Sequence, residues 1–442
     1  MTSLAIVAVL ATCVTSAVVM LRLRSMLGLV MSLTATLSYA IRHVLLATGF
    51  DTLHPDELFL YQGTAGLITS AGWMVALWQA TVTAAVAVTV VLGRSRRHRR
   101  PPPAPTSRYD WSTAALVLTA LSALVMVLLS AYYGSPAAAQ RALRVSDVNS
   151  GFGVLVVLPS AATVACVAWF RRARDEGRNA LAPVVLGGVD AMVFYGFGSR
   201  AGALAAVIGF ALAAADAAGL LRLRRLLRPR ALLALVVLVA VVGGGAVGLR
   251  SVRDANATRA DYSDYSVVRR VSTSLNLTYF DALVLARRDW PARYELRGAS
   301  DISRGLSAAV PRALWPGKPV DNETGKWFRR TYEPTREGGW PLGAVGEWYV
   351  AFGWAGLLSA AAVSGWLAVR LEGLLQRLLG PGVGRSVAAL VGLTVFPTGL
   401  LTNSPSRALP WLLAPLATAR LARLVLPRAT RPPAEQRRPA LL

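Results

Sequence analysis

Apolar residues recur along this chain in blocks of roughly 18–25. Each block is long enough to cross about 30 Å of hydrocarbon as a helix. Eleven blocks are read, at about 4–21, 26–49, 63–92, 113–133, 151–170, 180–198, 201–221, 231–249, 342–369, 386–402 and 406–426. The first follows only three residues, has no basic leader and precedes further blocks, so it is expected to be retained and not cleaved as a signal peptide. Most connections are short. The exception is Arg250–Pro341, a polar, aromatic stretch between the eighth and ninth blocks. The predicted fold is an all-α polytopic integral membrane protein with about 11 transmembrane helices and one large external loop containing short helices. Spans one to eight occupy 1–249, the loop 250–341 and spans nine to eleven 342–426. Residues 427–442 form a cytoplasmic tail, expected to be disordered.

Periodicity inside the loop predicts a helix over 264–288, where Val267, Val268, Val271, Leu275, Leu283 and Val284 recur near three and four residues apart. Ser300 reads as an N-cap for a short helix ended by Pro311. The aromatic stretch beyond has no clear period and suits a segment lying on the membrane surface. Arg100–Pro105 reads as an extended proline-rich linker. No internal repeat of fixed period is found.

Composition agrees with the pattern. The 442 residues are 54% hydrophobic, with a mean hydropathy of +0.48. The formal charge of +24 invites a nucleic-acid reading. Position argues against it, because the arginines cluster at block ends: Arg22 and Arg24; Arg94–Arg100; Arg171, Arg172 and Arg174; Arg222–Arg230; Arg420, Arg423 and Arg428. That is the distribution of positive-inside topology signals. Placing 22–25 in the cytoplasm places 93–112, 171–179, 222–230, 370–385 and 427–442 there as well. The N-terminus, 50–62, 134–150, 199–200, 250–341 and 403–405 then lie outside. Both cysteines, Cys13 and Cys166, fall in apolar blocks and read as packing residues. The three histidines, His43, His54 and His98, are scattered, so no metal site and no cofactor are expected. No phosphate-binding loop, hydrolase elbow or dinucleotide fingerprint is present. Asn256, Asn276 and Asn322 begin glycosylation-like triplets that are treated as chance.

Two elements stand out. One is Val310-Pro311-Arg312-Ala313-Leu314-Trp315-Pro316-Gly317-Lys318-Pro319. The other runs from Gly346-Glu347-Trp348-Tyr349 through Phe352-Gly353 to Gly356. With Arg297-Gly298 and the turn Gly198-Ser199-Arg200, they resemble the O-antigen polymerase (Wzy-type) family of bacterial oligosaccharide repeat-unit polymerases. The resemblance is strongest over about 297–360. It implies a multi-pass protein of the bacterial inner membrane whose active site faces the periplasm or exterior. Its donor and acceptor would be oligosaccharide repeats on undecaprenyl diphosphate, used without a nucleotide sugar, and a regulator protein would set chain length. Membrane lipids, and no nucleic acid, complete the expected partners.

Transfer from such a donor releases a lipid diphosphate, which fixed cations would stabilise as its charge develops. Arginine suits the task because its fork binds two phosphate oxygens and stays charged. Arg200, Arg270, Arg312, Lys318 and Arg407 are the diphosphate candidates, Arg200 and Arg312 doubling as catalytic residues. Arg200 and Arg407 follow very short external turns, and prolines flank Arg312 and Lys318. Snorkelling to the headgroups or a solvated helix face are the plain alternatives. Glu347, opening an apolar block, is the leading general base; Asp281, Glu323 and the pair Asp56-Glu57 are lesser candidates. Arg42-His43, inside the second block, is an intramembrane charge that can also reach the headgroups. Asp190 and Asp216 are the other polar residues read inside blocks. Trp315 and Trp348 are the glycan-stacking candidates among six tryptophans between 290 and 354, where an interfacial aromatic belt is the ordinary explanation. A ligase using the same lipid-linked donor, and a non-enzymatic flippase or transporter, remain alternative functions.

Overall fold

The computed structural model describes residues 2–50, 64–97, 109–136, 138–139, 157–197, 200–221, 279–300, 315, 317, 323–332, 334, 339–340, 342–395 and 405–424. Among them the chain is helical, with no strand. We label the helices α1 (Thr2–Leu23), α2 (Met26–Ala47), α3 (Thr64–Arg97), α4 (Trp111–Tyr132), α5 (Val157–Asp175), α6 (Leu181–Gly196), α7 (Arg200–Ala217), α8 (Tyr279–Asp289), α9 (Glu323–Tyr332), α10 (Gly343–Leu379), α11 (Pro381–Val395) and α12 (Pro405–Leu424). Five of them, α1 to α4 and α10, are long and apolar enough to cross a membrane. Four shorter apolar segments lie at Leu181–Gly196, Gly202–Ala217, Pro381–Val395 and Trp411–Ala422. The outer surface is apolar where a water-soluble protein would be charged: Leu4, Val7, Val14, Val127 and Leu128 are all more than half exposed. These side chains suit contact with lipid. The eighth predicted block, 231–249, lies outside the described residues.

α5 runs through the centre. Ala161 to Ala168 are buried without interruption, and α4, α6, α7, α11 and α12 pack around it. α3 packs most extensively against α10 and α1. Gly365 permits the α3–α10 approach: a β-carbon there would sit 2.6 Å from the Val82 carbonyl oxygen and 2.8 Å from the Ala85 β-carbon. Small residues at such crossings let backbones approach where lipid tails provide no hydrophobic drive.

The helix ends sort into two sets. At one end the Glu372 carboxylate accepts from the N–H groups of Met26 (3.1 Å) and Leu27 (3.2 Å) and the Ser25 hydroxyl (3.0 Å). Tyr109 donates to the Leu378 carbonyl, Arg172 to the Tyr109 carbonyl, and Arg171 and Arg385 grip Asp216. Segments 22–25, 109–110, 171–176, 216–221 and 372–385 therefore meet there, and we call it the basic end. Asp110 caps α4: burial pushes its carboxyl up, but hydrogen bonds from Ser112 and Thr113 outweigh this and hold it below its ordinary value. Asp216, read from sequence as an intramembrane polar residue, belongs to this terminal network. The span expected at 342–369 is a helix reaching Leu379. Its charged continuation stays helical because Glu372 is buried and satisfied by the α1–α2 turn.

Candidate functional site

The opposite end carries the loop segments, and α2 organises it. Its central turn, Thr36–Ala40, winds as a π-helix, a feature frequent at functional sites. Within that turn Tyr39 donates to the Leu342 carbonyl at 3.1 Å, fastening the start of α10. One turn on, Arg42 grips Asp281 of α8 in a two-pronged ion pair, Nε to Oδ2 at 2.9 Å and Nη2 to Oδ1 at 3.0 Å. Both side chains are fully buried.

That pair revises two expectations. Arg42 is engaged with a carboxylate inside the protein and does not reach for headgroups. Asp281 is sequestered by the arginine and is no longer a candidate base. The helix read over 264–288 appears as α8, Tyr279–Asp289; residues 264–278 lie outside the described set. α8 is no surface helix, since Phe280 to Ala286 are all buried, against α3 and α10. His43 packs on the Phe280 ring with centroids 5.1 Å apart.

Further ties fix α8 to the bundle. Arg287 donates to the Ser70 hydroxyl at 2.9 Å and to the Tyr349 hydroxyl at 3.4 Å. Tyr349 in turn donates to the Trp290 carbonyl at 3.0 Å. α9 is joined through aromatic rings: Trp290 stacks on Phe328, and Trp327 meets Trp290 and Tyr294 edge-on. Asp289 accepts from Arg288 at 2.9 Å and from the Tyr332 hydroxyl. Burial pushes the Tyr332 phenol well above its ordinary value, and the bond to Asp289 pushes it further. The hydrogen bonds to Asp289 raise the Arg288 guanidinium, against burial. The Arg329 guanidinium lies 5.3 Å from the Trp340 ring centroid.

Glu347 stands on the second turn of α10, half-buried beside this framework. Two residues on, Tyr349 is pinned as above, and Trp348, also half-buried, stacks on Phe352 with centroids 5.9 Å apart. The helix then breaks. Phe352 (φ −139°, ψ 15°) and Gly353 (φ 64°, ψ −149°) leave helical geometry before it resumes. Gly353 is needed because a side chain is strained at that φ. The break deprives the Val350 and Ala351 carbonyls of their partners in the next turn. The N–H groups of Arg297 and Gly298 replace them, at 3.1 and 2.9 Å. The element from Gly346 to Gly356 thus forms a broken helix whose exposed carbonyls are capped by the Arg297-Gly298 strap.

Trp315 is 45% exposed. Arg200 opens α7 and Arg407 lies in the first turn of α12, both with side chains outside the described set, as is that of Glu323 on α9. Phe194 of α6 stacks on Trp411 of α12 at 5.3 Å, which brings the openings of α7 and α12 to the same region. Arg270, Arg312, Lys318 and Asp56-Glu57 lie outside the described residues. Asp190 is buried in α6, where its Oδ2 accepts from the Cys166 thiol at 3.5 Å. Among the described residues no group of three His, Cys, Asp or Glu side chains is arranged to hold a metal.

Sequence reasoning missed Arg287, Tyr349 and Tyr39 as positioning groups. Tyr349 sits inside the quoted motif, which was the available signal; Tyr39 and Arg287 had none. Comparison with protein-family models, with characterised proteins and with solved structures returns no match.

Proposed function

We propose that this chain is a membrane glycosyltransferase that polymerises undecaprenyl-diphosphate-linked oligosaccharide repeats into a surface polysaccharide. In this reading eleven helices span the inner membrane, with the basic end in the cytoplasm and the Glu347 end facing outward. The observation that carries the proposal is the broken helix of α10. One of the two elements on which the resemblance rests, that from Gly346 to Gly356, is folded into a half-buried carboxylate next to a helix break, on the helix whose start packs with the arginine- and aromatic-rich α8. Interrupted membrane helices concentrate at sites where polar substrates meet the bilayer.

In the reaction, a hydroxyl oxygen of the acceptor repeat attacks the anomeric carbon of the donor glycan. The bond from that carbon to the phosphate oxygen breaks as the new glycosidic bond forms. Glu347 takes the hydroxyl proton, a role suited to a partly desolvated carboxylate. Lipid diphosphate leaves with its charge held by Arg200, Arg312 and Lys318, assisted by Arg270 and Arg407. Trp315 and Trp348 present ring faces to the C–H faces of the sugars. No nucleotide sugar or metal enters any step. A protein that sets chain length would meet the outward end.

The test is chain extension in vesicles containing the purified protein and synthetic lipid-linked single repeats. Arg312→Ala, Arg200→Ala and Glu347→Gln should each lower extension by at least a hundredfold at normal expression. Normal polymer from the two arginine variants removes the diphosphate assignment, and normal polymer from Glu347→Gln removes the base.

A further inference from the structure

The helix turns that carry Glu347 are held at two points, each by a tyrosine hydroxyl. Tyr39 of α2 is fully buried, its ring 6.0 Å from that of Tyr279 on α8, and it donates to the Leu342 carbonyl at 3.1 Å. Tyr349, also buried, donates to the Trp290 carbonyl at 3.0 Å and accepts from Arg287 at 3.4 Å. Leu342 and Tyr349 are about two helical turns apart, so both points lie on one face of α10. Glu347 comes five positions after the first and two before the second. At about 100° per residue it falls on the far face. Burial agrees, since Tyr349 is buried and Glu347 half-buried.

Below these turns the helix is broken at Phe352 and Gly353. The long lower part of α10 therefore does not impose its own rotation on residues 343–351. The Arg297-Gly298 strap ties the far end of that segment through backbone groups alone. The rotation of the segment is set from its buried face, by the two tyrosines.

We infer that Tyr39 and Tyr349 are positioning residues for Glu347: their hydroxyls lock the rotation of 343–351 and so aim the carboxylate at the acceptor hydroxyl. This rests on the reading of Glu347 as the base. A misplacement of about 1 Å can cost about a hundredfold in rate. Tyr109 offers a matched contrast. It donates to the Leu378 carbonyl at 2.8 Å, the same kind of bond to the same helix, but at the basic end and beyond the break.

Chain extension from synthetic lipid-linked single repeats in vesicles, read as kcat and KM per folded molecule, tests the assignment. Each variant loses a hydroxyl and keeps its ring. Tyr39→Phe and Tyr349→Phe should each lower kcat about tenfold or more with KM unchanged. The double variant should be little slower than the worse single, because losing either point already frees the rotation. Tyr109→Phe should lower the melting temperature but keep kcat. A merely structural role would lower the melting temperature in all three and kcat in none. Wild-type kcat in either Tyr39→Phe or Tyr349→Phe overturns the inference, as does an equal loss of kcat in Tyr109→Phe. Glu347→Gln separates the inference from the reading beneath it. If that variant is inactive while either tyrosine variant is normal, the positioning alone falls; if it extends chains normally, the base and its positioning fall together.

Discussion

Arg42 and Asp281 are 239 positions apart and meet in full burial. Removing either partner leaves the other as an uncompensated buried charge, at a cost of about 3–5 kcal/mol. Arg42→Ala and Asp281→Ala should therefore each lower the melting temperature in detergent sharply. The exchanged pair, Arg42→Asp with Asp281→Arg, should recover part of the loss; no recovery would show that the pair does not act as a unit. Tyr332 supplies a pH prediction. An unfolded tyrosine ionises near pH 10, whereas this phenol is held neutral by burial and by Asp289. Its contribution to stability is thus present below about pH 10 and lost as pH rises beyond it. Thermal scans of Tyr332→Phe should lack that alkaline loss. At this scale the sequence identified Arg42 as an intramembrane charge but not its partner. Nothing in the local pattern distinguishes Asp281 from other loop carboxylates; only the docking of α8 does.

Helix α10 shows what an apolar pattern conveys and what it hides. The pattern marks a span at 342–369, and the helix begins at Gly343. Hydropathy misses the extension to Leu379, because Arg370, Glu372 and Arg377 read as a loop. A long-range contact with the α1–α2 turn neutralises that signal. The break at Phe352-Gly353 is legible only as a glycine in an apolar run. Gly353→Ala should cost about 1–3 kcal/mol, because φ 64° with ψ −149° is a backbone region that essentially only glycine occupies, and should loosen the strap at Arg297-Gly298. Hydrogen exchange at those two amides should rise, and unchanged protection would mean that the strap does not depend on the break. Gly365→Val meets the Val82 carbonyl and the Ala85 side chain. Overpacking of this kind costs about 1–3 kcal/mol, read as a lowered melting temperature.

Across the whole molecule, the two ends of the bundle are held together by different contacts. The basic end is tied by arginine–carboxylate contacts and the Glu372 cap. The other end gathers α8, α9 and the start of α10 around buried aromatic rings. Helical class and the five long apolar helices follow directly from hydropathy, because block length and bilayer thickness are the same constraint. The roof does not, because its aromatics serve equally as an interfacial belt or a glycan surface; in the fold Trp290 and Phe328 are buried packing residues, while Trp315 stays exposed. The proposed reaction makes one demand of the intact cell: without this chain, single repeats should be made and exported but not joined. The most direct measurement is the length and leaflet of lipid-linked intermediates in a strain lacking the protein. Single-repeat carriers accumulating on the outer leaflet are the predicted result. Single repeats confined to the cytoplasmic leaflet, or long polymer left on its carrier, would contradict it.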